Sequence, residues 1–261
     1  MNVIQLCGGL GNQLFQYSFG KVQKLNGIAV MYDDTWYEKY GDSRPYRLDK
    51  FNVDVKTEPF VNQKTLREHR ENGFSPHLMK LDNRNFSGYW QYLGYYKDIL
   101  SVLRKELCIR EEFYTEKYLK LYKQVIEKSS VSIHVRRGDY VGLNKSLFQV
   151  MPLTYYFKAL EYVEGDLFIF SDDLPWCKEN FKQDYFSRKV TFVGMDDYLD
   201  YELMKACTHN IISGSSFSWW PAILNDSPEK KVVAPKRWIV TRRDAENYNN
   251  KIHYPKSWIK I

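Results

Sequence analysis

Val131-Ser132-Ile133-His134-Val135-Arg136-Arg137-Gly138-Asp139 passes abruptly from a β-type run to two guanidinium groups, a glycine and an acid. A short run with no helical period predicts a strand over residues 131–135, and the polar residues behind it predict a loop at its carboxyl end. The same change recurs downstream. Leu167-Phe168-Ile169-Phe170 gives way to Ser171-Asp172-Asp173, and Val190-Thr191-Phe192-Val193 to residues 194–197. Asn210-Ile211-Ile212 gives way to Ser213-Gly214-Ser215-Ser216, and Lys231-Val232-Val233-Ala234 closes on Pro235. Residues 154–163 and 198–207 carry apolar side chains at helical spacing, and an apolar helix is predicted after Ser213-Gly214-Ser215-Ser216, to about Leu224. Short strands, apolar along their length and alternating with helices, predict a parallel sheet covered on both faces. Sheets of this kind take ligands beyond the carboxyl ends of their strands, which is where the polar residues collect.

The first half repeats the theme less regularly. Residues 3–6 predict a strand, Cys7-Gly8-Gly9-Leu10-Gly11-Asn12 a tight loop, and residues 12–26 a helix with Phe15, Phe19, Val22 and Leu25 on one face. A second strand is expected over 28–32, a further one over 86–90, and helices over 95–107 and 116–128. Residues 33–85 show no periodicity and read as loop. The expectation is an α/β protein of two lobes, 1–128 and 129–261, with the C-terminal tail free to cross back and the ligand between the lobes.

Composition narrows the class. The chain has 261 residues with 44% hydrophobic and 27% charged side chains, ordinary globular values that exclude a disordered or fibrous chain. Its net charge of +6 is spread along the sequence rather than gathered in a tail, which argues against a nucleic-acid partner. The surplus remains compatible with an anionic substrate or peripheral contact with a membrane. Cys7, Cys108, Cys177 and Cys207 lie far apart, without the spacing of a zinc site or a disulfide framework. No apolar run reaches the ~18–20 residues of a membrane span, and no signal peptide is recognisable. A cytoplasmic protein is expected, with room for peripheral contact at the inner face of the plasma membrane.

The strand-end residues supply the candidate chemistry. Arg136 and Arg137 offer the donors that hold a diphosphate, and a charged hydrogen bond contributes about 1.5–3 kcal/mol. Arg137-Gly138-Asp139 also spells an adhesion tripeptide, but that reading needs an extracellular loop. Asp139 reads either as a catalytic acid or base or as the structural partner of Arg137. The glycines at 8, 9 and 11 allow positive φ and close approach of a ligand, or simply make a turn. Ser213–Ser216 opens a helix and forms a second anion cradle. The spacings match neither the dinucleotide fingerprint nor a Walker lysine, which disfavours a phosphotransferase, and no nucleophile elbow is present. Asp172, Asp173, Asp196, Asp197 and Asp200 follow strands without an Asp-x-Asp pattern, so no catalytic metal is indicated. An acid among them is suited to accept the N–H groups of a purine edge. Trp219 and Trp220 read as core rather than ligand contacts.

Taken in order, residues 8–16, 134–140, 170–173 and 200–220 resemble the α-1,2-fucosyltransferases of glycosyltransferase family 11. The resemblance runs from residue 1 to about 240. It implies a GT-B-like fold of two Rossmann-like lobes with the active site in the cleft between them. It also implies inverting transfer of L-fucose from GDP-β-L-fucose to the 2-hydroxyl of a terminal galactose, on an oligosaccharide or glycolipid, with no metal or other cofactor. By position, Arg136 resembles the family arginine on the diphosphate, and His134 and Asp200 match positions near guanine. Asn12, Gly11, Ser215, Ser216 and Phe217 match the phosphate- and fucose-side loops. Gly214 stands where the family commonly has Asn. On this basis Arg136, Asn12 and Asp139 are the expected catalytic residues. Gly11, His134, Arg137, Asp172, Asp200, Ser215, Ser216 and Phe217 are expected on the donor. A non-catalytic nucleotide-sugar or glycan-binding protein, or a fucosyltransferase of another linkage, would carry nearly the same residues.

Overall fold

The computed structural model describes residues 1–57, 66–142, 148–237 and 254–261. The fold is α/β and GT-B-like, with two compact units each built on its own parallel sheet. One unit holds the described residues from Met1 to Arg110, the other those from Glu111 to Ile261. The division therefore falls before the boundary expected at 128. The reason lies in the helix Glu116–Glu127, which packs on the helix Asp197–Ala206 of the second unit. The ring of Phe113 meets that of Tyr198 at 6.2 Å, and Lys117 Nζ donates to the Gly194 carbonyl at 2.7 Å. Residues 238–253, through which a crossing tail would run, lie outside the described residues.

The first sheet contains β1 (Asn2–Gln5), β2 (Val30–Asp33), β3 (Arg67–Arg70) and β4 (Arg84–Ser87), in the order β2-β1-β4-β3. Strand β1 is central and pairs β2 on one side and β4 on the other. Its core includes Phe19 stacked on Trp90 at 4.3 Å, with Phe86 edge-on to both. Strand β3 lies inside the stretch expected to be loop. Arg67-Glu68-His69-Arg70 has no apolar pattern to announce it and is held in register by β4. The helix expected over 95–107 is broken into Leu93–Tyr96, a 3₁₀ turn Lys97–Ile99, and Leu100–Glu106.

The second sheet contains β5 (Ser130–Val135), β6 (Asp166–Ser171), β7 (Val190–Val193), β8 (His209–Ile211), β9 (Val232–Ala234) and β10 (Ile259–Lys260). Its order is β10-β9-β8-β5-β6-β7. The chain thus starts at the middle, winds outward through β6 and β7, and returns to the other side of β5 at β8. This is the doubly wound order, and its switch point lies between β5 and β8, where a crevice forms at the strand ends. Strand β5 is buried on both faces but is not apolar on both. Val131, Ile133 and Val135 join the core of Leu167, Ile169, Ile211 and Val233 beneath Tyr155, Tyr156 and Phe181. On the alternate positions, Ser130 Oγ donates to the Val125 carbonyl (2.8 Å), and Ser132 Oγ accepts from Asn210 Nδ2 (2.7 Å). Small hydrogen-bonded side chains let the covering helices approach closely without orphaning polar groups. Trp219 and Trp220 are buried, in keeping with the core reading.

Candidate functional site

After β5 the backbone turns into the short helix Gly138–Val141. Arg136 is clamped there between two acids. One terminal nitrogen pairs with Asp139 and the other with Asp172 Oδ2 at 2.9 Å. Its Nε–H is buried with no hydrogen-bond partner among the described residues. An orphan donor on a clamped guanidinium is costly unless a ligand completes it. The clamp requires Gly138, because a Cβ at that position would overlap Asp172 Oδ2.

Arg137, expected beside Arg136 on the donor, is turned to other partners. Its backbone N–H donates to Asp172 Oδ1 at 2.9 Å and its Nε to Asp173 Oδ2 at 3.0 Å. Its guanidinium lies 4.0 Å from the centre of the Trp176 ring. The Arg137 hydrogen bond holds the Asp173 carboxyl below its usual range, while Asp173 Oδ1 caps the helix Leu174–Asn180 at the Trp176 N–H. Arg137 is thus a strut for the loop after β6. Asp139, open in the sequence between a catalytic role and pairing with Arg137, pairs with Arg136.

Two contacts tie the end of β5 and the short helix behind it to the loop after β8 across the switch point. His134 Nδ1 and Ser213 Oγ are 2.8 Å apart, and Tyr140 Oη donates to the Gly214 carbonyl at 3.0 Å. Tyr140 also places its ring 5.3 Å from the Arg136 guanidinium, and the Phe217 ring lies 5.2 Å from His134. Ser215 Oγ accepts from the Phe217 N–H at 3.3 Å and caps the helix Ser216–Leu224. The amino end of that helix carries partial positive charge and favours an anion. His134, Arg136, Asp139, Asp172, Ser215, Ser216 and Phe217 therefore share one rim. Tyr140 was not singled out from sequence, although it lies four residues after Arg136, and Ser213 was read only as part of the anion cradle.

Burial sets the charge of two candidate residues, His134 on this rim and Asp200, which takes no part in these rim contacts. Burial, and secondarily the charge of Arg136, pushes the His134 imidazole down to about 3, so it is neutral at physiological pH. Burial pushes the Asp200 carboxyl up to about 8, with the Met195 N–H at 3.1 Å opposing and Asp197 adding to the rise. Asp200 stands in the first turn of Asp197–Ala206, beyond β7. It is a neutral carboxylic acid near pH 7, able to donate as well as accept.

Gly11 and Asn12 belong to the first unit, at the start of the helix Leu10–Leu25 behind β1. Gly8 adopts φ +79°, and a Cβ on it would come within 2.7 Å of Asn12 Nδ2. Asn12 Oδ1 accepts from Gln91 Nε2 at 2.9 Å. The neighbouring amides are staples that the sequence reading did not single out. Gln13 bonds the Pro45 carbonyl (2.9 Å) and the Arg47 N–H (2.8 Å), and Gln16 bonds the Cys7 N–H (2.9 Å) and the Gly88 carbonyl (3.0 Å). Both glutamines are fully buried, which nothing in the sequence beside the glycine loop announces. Trp90, also at positive φ (55°), is locked by its stack on Phe19 and delivers Gln91 to Asn12.

Among the described residues, no helix is long and apolar enough to cross a membrane.

Known proteins bear on this geometry. The glycosyl transferase family 11 model matches residues 1–261. An α-1,2-colitosyltransferase of Escherichia coli is 30% identical over 99% of this chain and 98% of its own length. The O-antigen biosynthesis glycosyltransferase WbnK of the same species is 28% identical over 98% and 99%. The galactoside α-(1,2)-fucosyltransferase 2 of Rattus norvegicus is 25% identical over 90% of this chain and 74% of its own. Among solved structures, fucosyltransferase NodZ from Bradyrhizobium shares the fold at TM-score 0.55 and 13% identity, covering 85% of this chain and 92% of its own. The match to the family model over the full length settles the class: the chain is a glycosyltransferase and belongs to glycosyltransferase family 11.

Proposed function

We propose that the protein transfers L-fucose from GDP-β-L-fucose to the 2-hydroxyl of a terminal galactose, with inversion and without a metal. The observation that carries this reading is Arg136, held by two carboxylates at the switch point with its Nε–H still to be satisfied. In the proposed step the acceptor oxygen attacks the anomeric carbon as the bond to the β-phosphate breaks. GDP leaves with the electron pair and the hydroxyl proton passes to a base or to solvent. Arg136 and the amino end of Ser216–Leu224 stabilise the charge growing on the diphosphate, the electrostatic service that a metal performs elsewhere. Asp139 and Asp172 set the guanidinium in place before the donor arrives, so little reorganisation remains for the reaction itself. His134, neutral and buried, and Asp200 are assigned to guanine.

The colitosyltransferase relative favours a second reading, transfer of the corresponding 3-deoxy sugar. The two sugars differ by one hydroxyl, and a site that hydrogen-bonds that hydroxyl rejects the sugar lacking it by about 10⁴–10⁵. The test is incubation of the full chain with GDP-fucose or GDP-colitose and a panel of β-galactosides, with and without chelator. The expected result is GDP release with an α-1,2-fucosylated product, unaffected by chelator. Arg136→Ala should lower the rate by about 10²–10³ while the protein stays folded. Near-normal turnover in that variant, or activity lost in chelator, would sink the reading.

A further inference from the structure

The second unit holds a cavity of about 330 Å³ that the donor site does not use. It opens where Pro235 and Lys236 leave β9 and where the helix Leu153–Ala159 begins. Lys158, Lys236 and Arg237 line it, and no Asp or Glu side chain does. Among the described residues none of these cations forms an ion pair. The arrangement is maintained from the sheet below. Lys236 N–H donates to the Ile261 carbonyl at 3.0 Å, and Tyr155 Oη donates to the Ile212 carbonyl at 2.7 Å. The remaining wall is largely apolar, with Met151 and Pro152 beside the Tyr155 ring.

Three cations lining one cavity with no Asp or Glu side chain leave a positive surplus even against the terminal carboxylate of Ile261, and that surplus gains from an anion. Arginine adds a planar fork suited to a phosphoryl group. The volume is at the lower end for organic ligand sites and exceeds what a bare phosphate fills. The apolar wall asks for a carbon body behind the charged head. Tyr155 also connects this wall to the strand end that leads into Ser213, so the cavity flanks the diphosphate rim on the face covered by Leu153–Ala159. We propose that it is a second anion site, separate from the donor site, which takes the phosphoryl group of an organic phosphate whose apolar portion rests on Met151 and Tyr155. The proposal stands whichever sugar the enzyme transfers.

The test uses the full chain saturated with GDP, so that the donor site is occupied. Octyl phosphate is titrated in by calorimetry, with neutral octyl glucoside as control. The expected result is saturable binding of octyl phosphate alone. K158E and the double variant K236E/R237E should each weaken it by at least about tenfold. Unchanged GDP affinity in those variants shows that they fold and that the two sites are distinct. A parallel arm sediments the protein with phosphatidylcholine vesicles with and without phosphatidylglycerol. Retention on the anionic vesicles that is lost in the same variants identifies a lipid headgroup as the source of the phosphate. Binding of octyl phosphate without retention identifies a soluble phosphorylated ligand. Failure of GDP-saturated wild type to bind octyl phosphate, or binding that survives the charge reversals, overturns the proposal.

Discussion

Arg136 and Arg137 are adjacent in sequence and turn to different partners. Their placement after a buried strand was legible, because apolar residues followed by charge mark the rim of a parallel sheet. Their separation was not, since it depends on Asp172, Asp173 and Trp176, which reach the rim only when β6 pairs with β5. Asp200 carries the sharpest prediction at this scale. Its carboxyl holds a proton up to about pH 8 when folded, whereas the unfolded chain loses it near the ordinary 3.8. Unfolding between those values releases a proton, so this group's contribution to stability falls as pH rises from about 4 to about 8 and is level above. Calorimetric scans at pH 5 and pH 8 should show that Asp200→Asn gains Tm relative to wild type at the higher pH. An equal difference at both would mean that burial does not hold the proton. If Asp200 accepts guanine N–H groups, GDP binding at pH 7 should also release a proton, read as binding heats that vary with buffer ionisation enthalpy. Heats independent of buffer would remove Asp200 from the guanine site.

At the scale of elements, the strands carrying Ile133, Phe168 and Ile211 announced themselves because their burial is written in their side chains, and the half-buried β7 did so by its apolar run. The polar β3 and the two-residue β10 did not, since each exists only through the strand beside it. The helix Leu174–Asn180 was also silent, being short and opened by a proline behind its Asp173 cap. Caps and close approaches are where elements meet the site. Ser215→Ala removes the cap of Ser216–Leu224 and should cost about 1 kcal/mol, measured by denaturant unfolding. It should also weaken GDP, because the same hydroxyl shapes the anion cradle. Gly138→Ala acts differently. The added methyl displaces Asp172 and opens the Arg136 clamp, a strain of about 1–3 kcal/mol in a packed setting. Its signature is a fall in kcat larger than any fall in GDP affinity. A variant with wild-type kcat would show that the clamp does not prepare the guanidinium for the reaction.

On the scale of the whole molecule, the two sheets are unequal partners in what they display. The second unit alone carries the clamped Arg136, the neutral His134 and Asp200, and the capped helix, the groups proposed to hold the donor nucleotide. The first unit contributes a glycine loop whose polar groups are largely spent on its own framework, with Gln13 and Gln16 stapling it and Gln91 holding Asn12. The sequence marked this loop by its glycines but could not reveal that the amides beside them are structural. If the division is real, donor binding and transfer should come apart on substitution. Asn12→Ala in the full chain should leave the GDP dissociation constant within about twofold of wild type, because Arg136, His134, Asp200 and the helix Ser216–Leu224, the proposed partners of the base and the diphosphate, lie in the other unit. It should lower kcat for transfer by about tenfold or more, because the amide that Gln91 holds is lost from the loop expected on the fucose side. Gln91→Ala should reproduce the kcat defect more weakly, since Asn12 remains but is no longer oriented. Loss of GDP affinity in Asn12→Ala that matches the loss in kcat would place this loop on the nucleotide and undo the proposed separation.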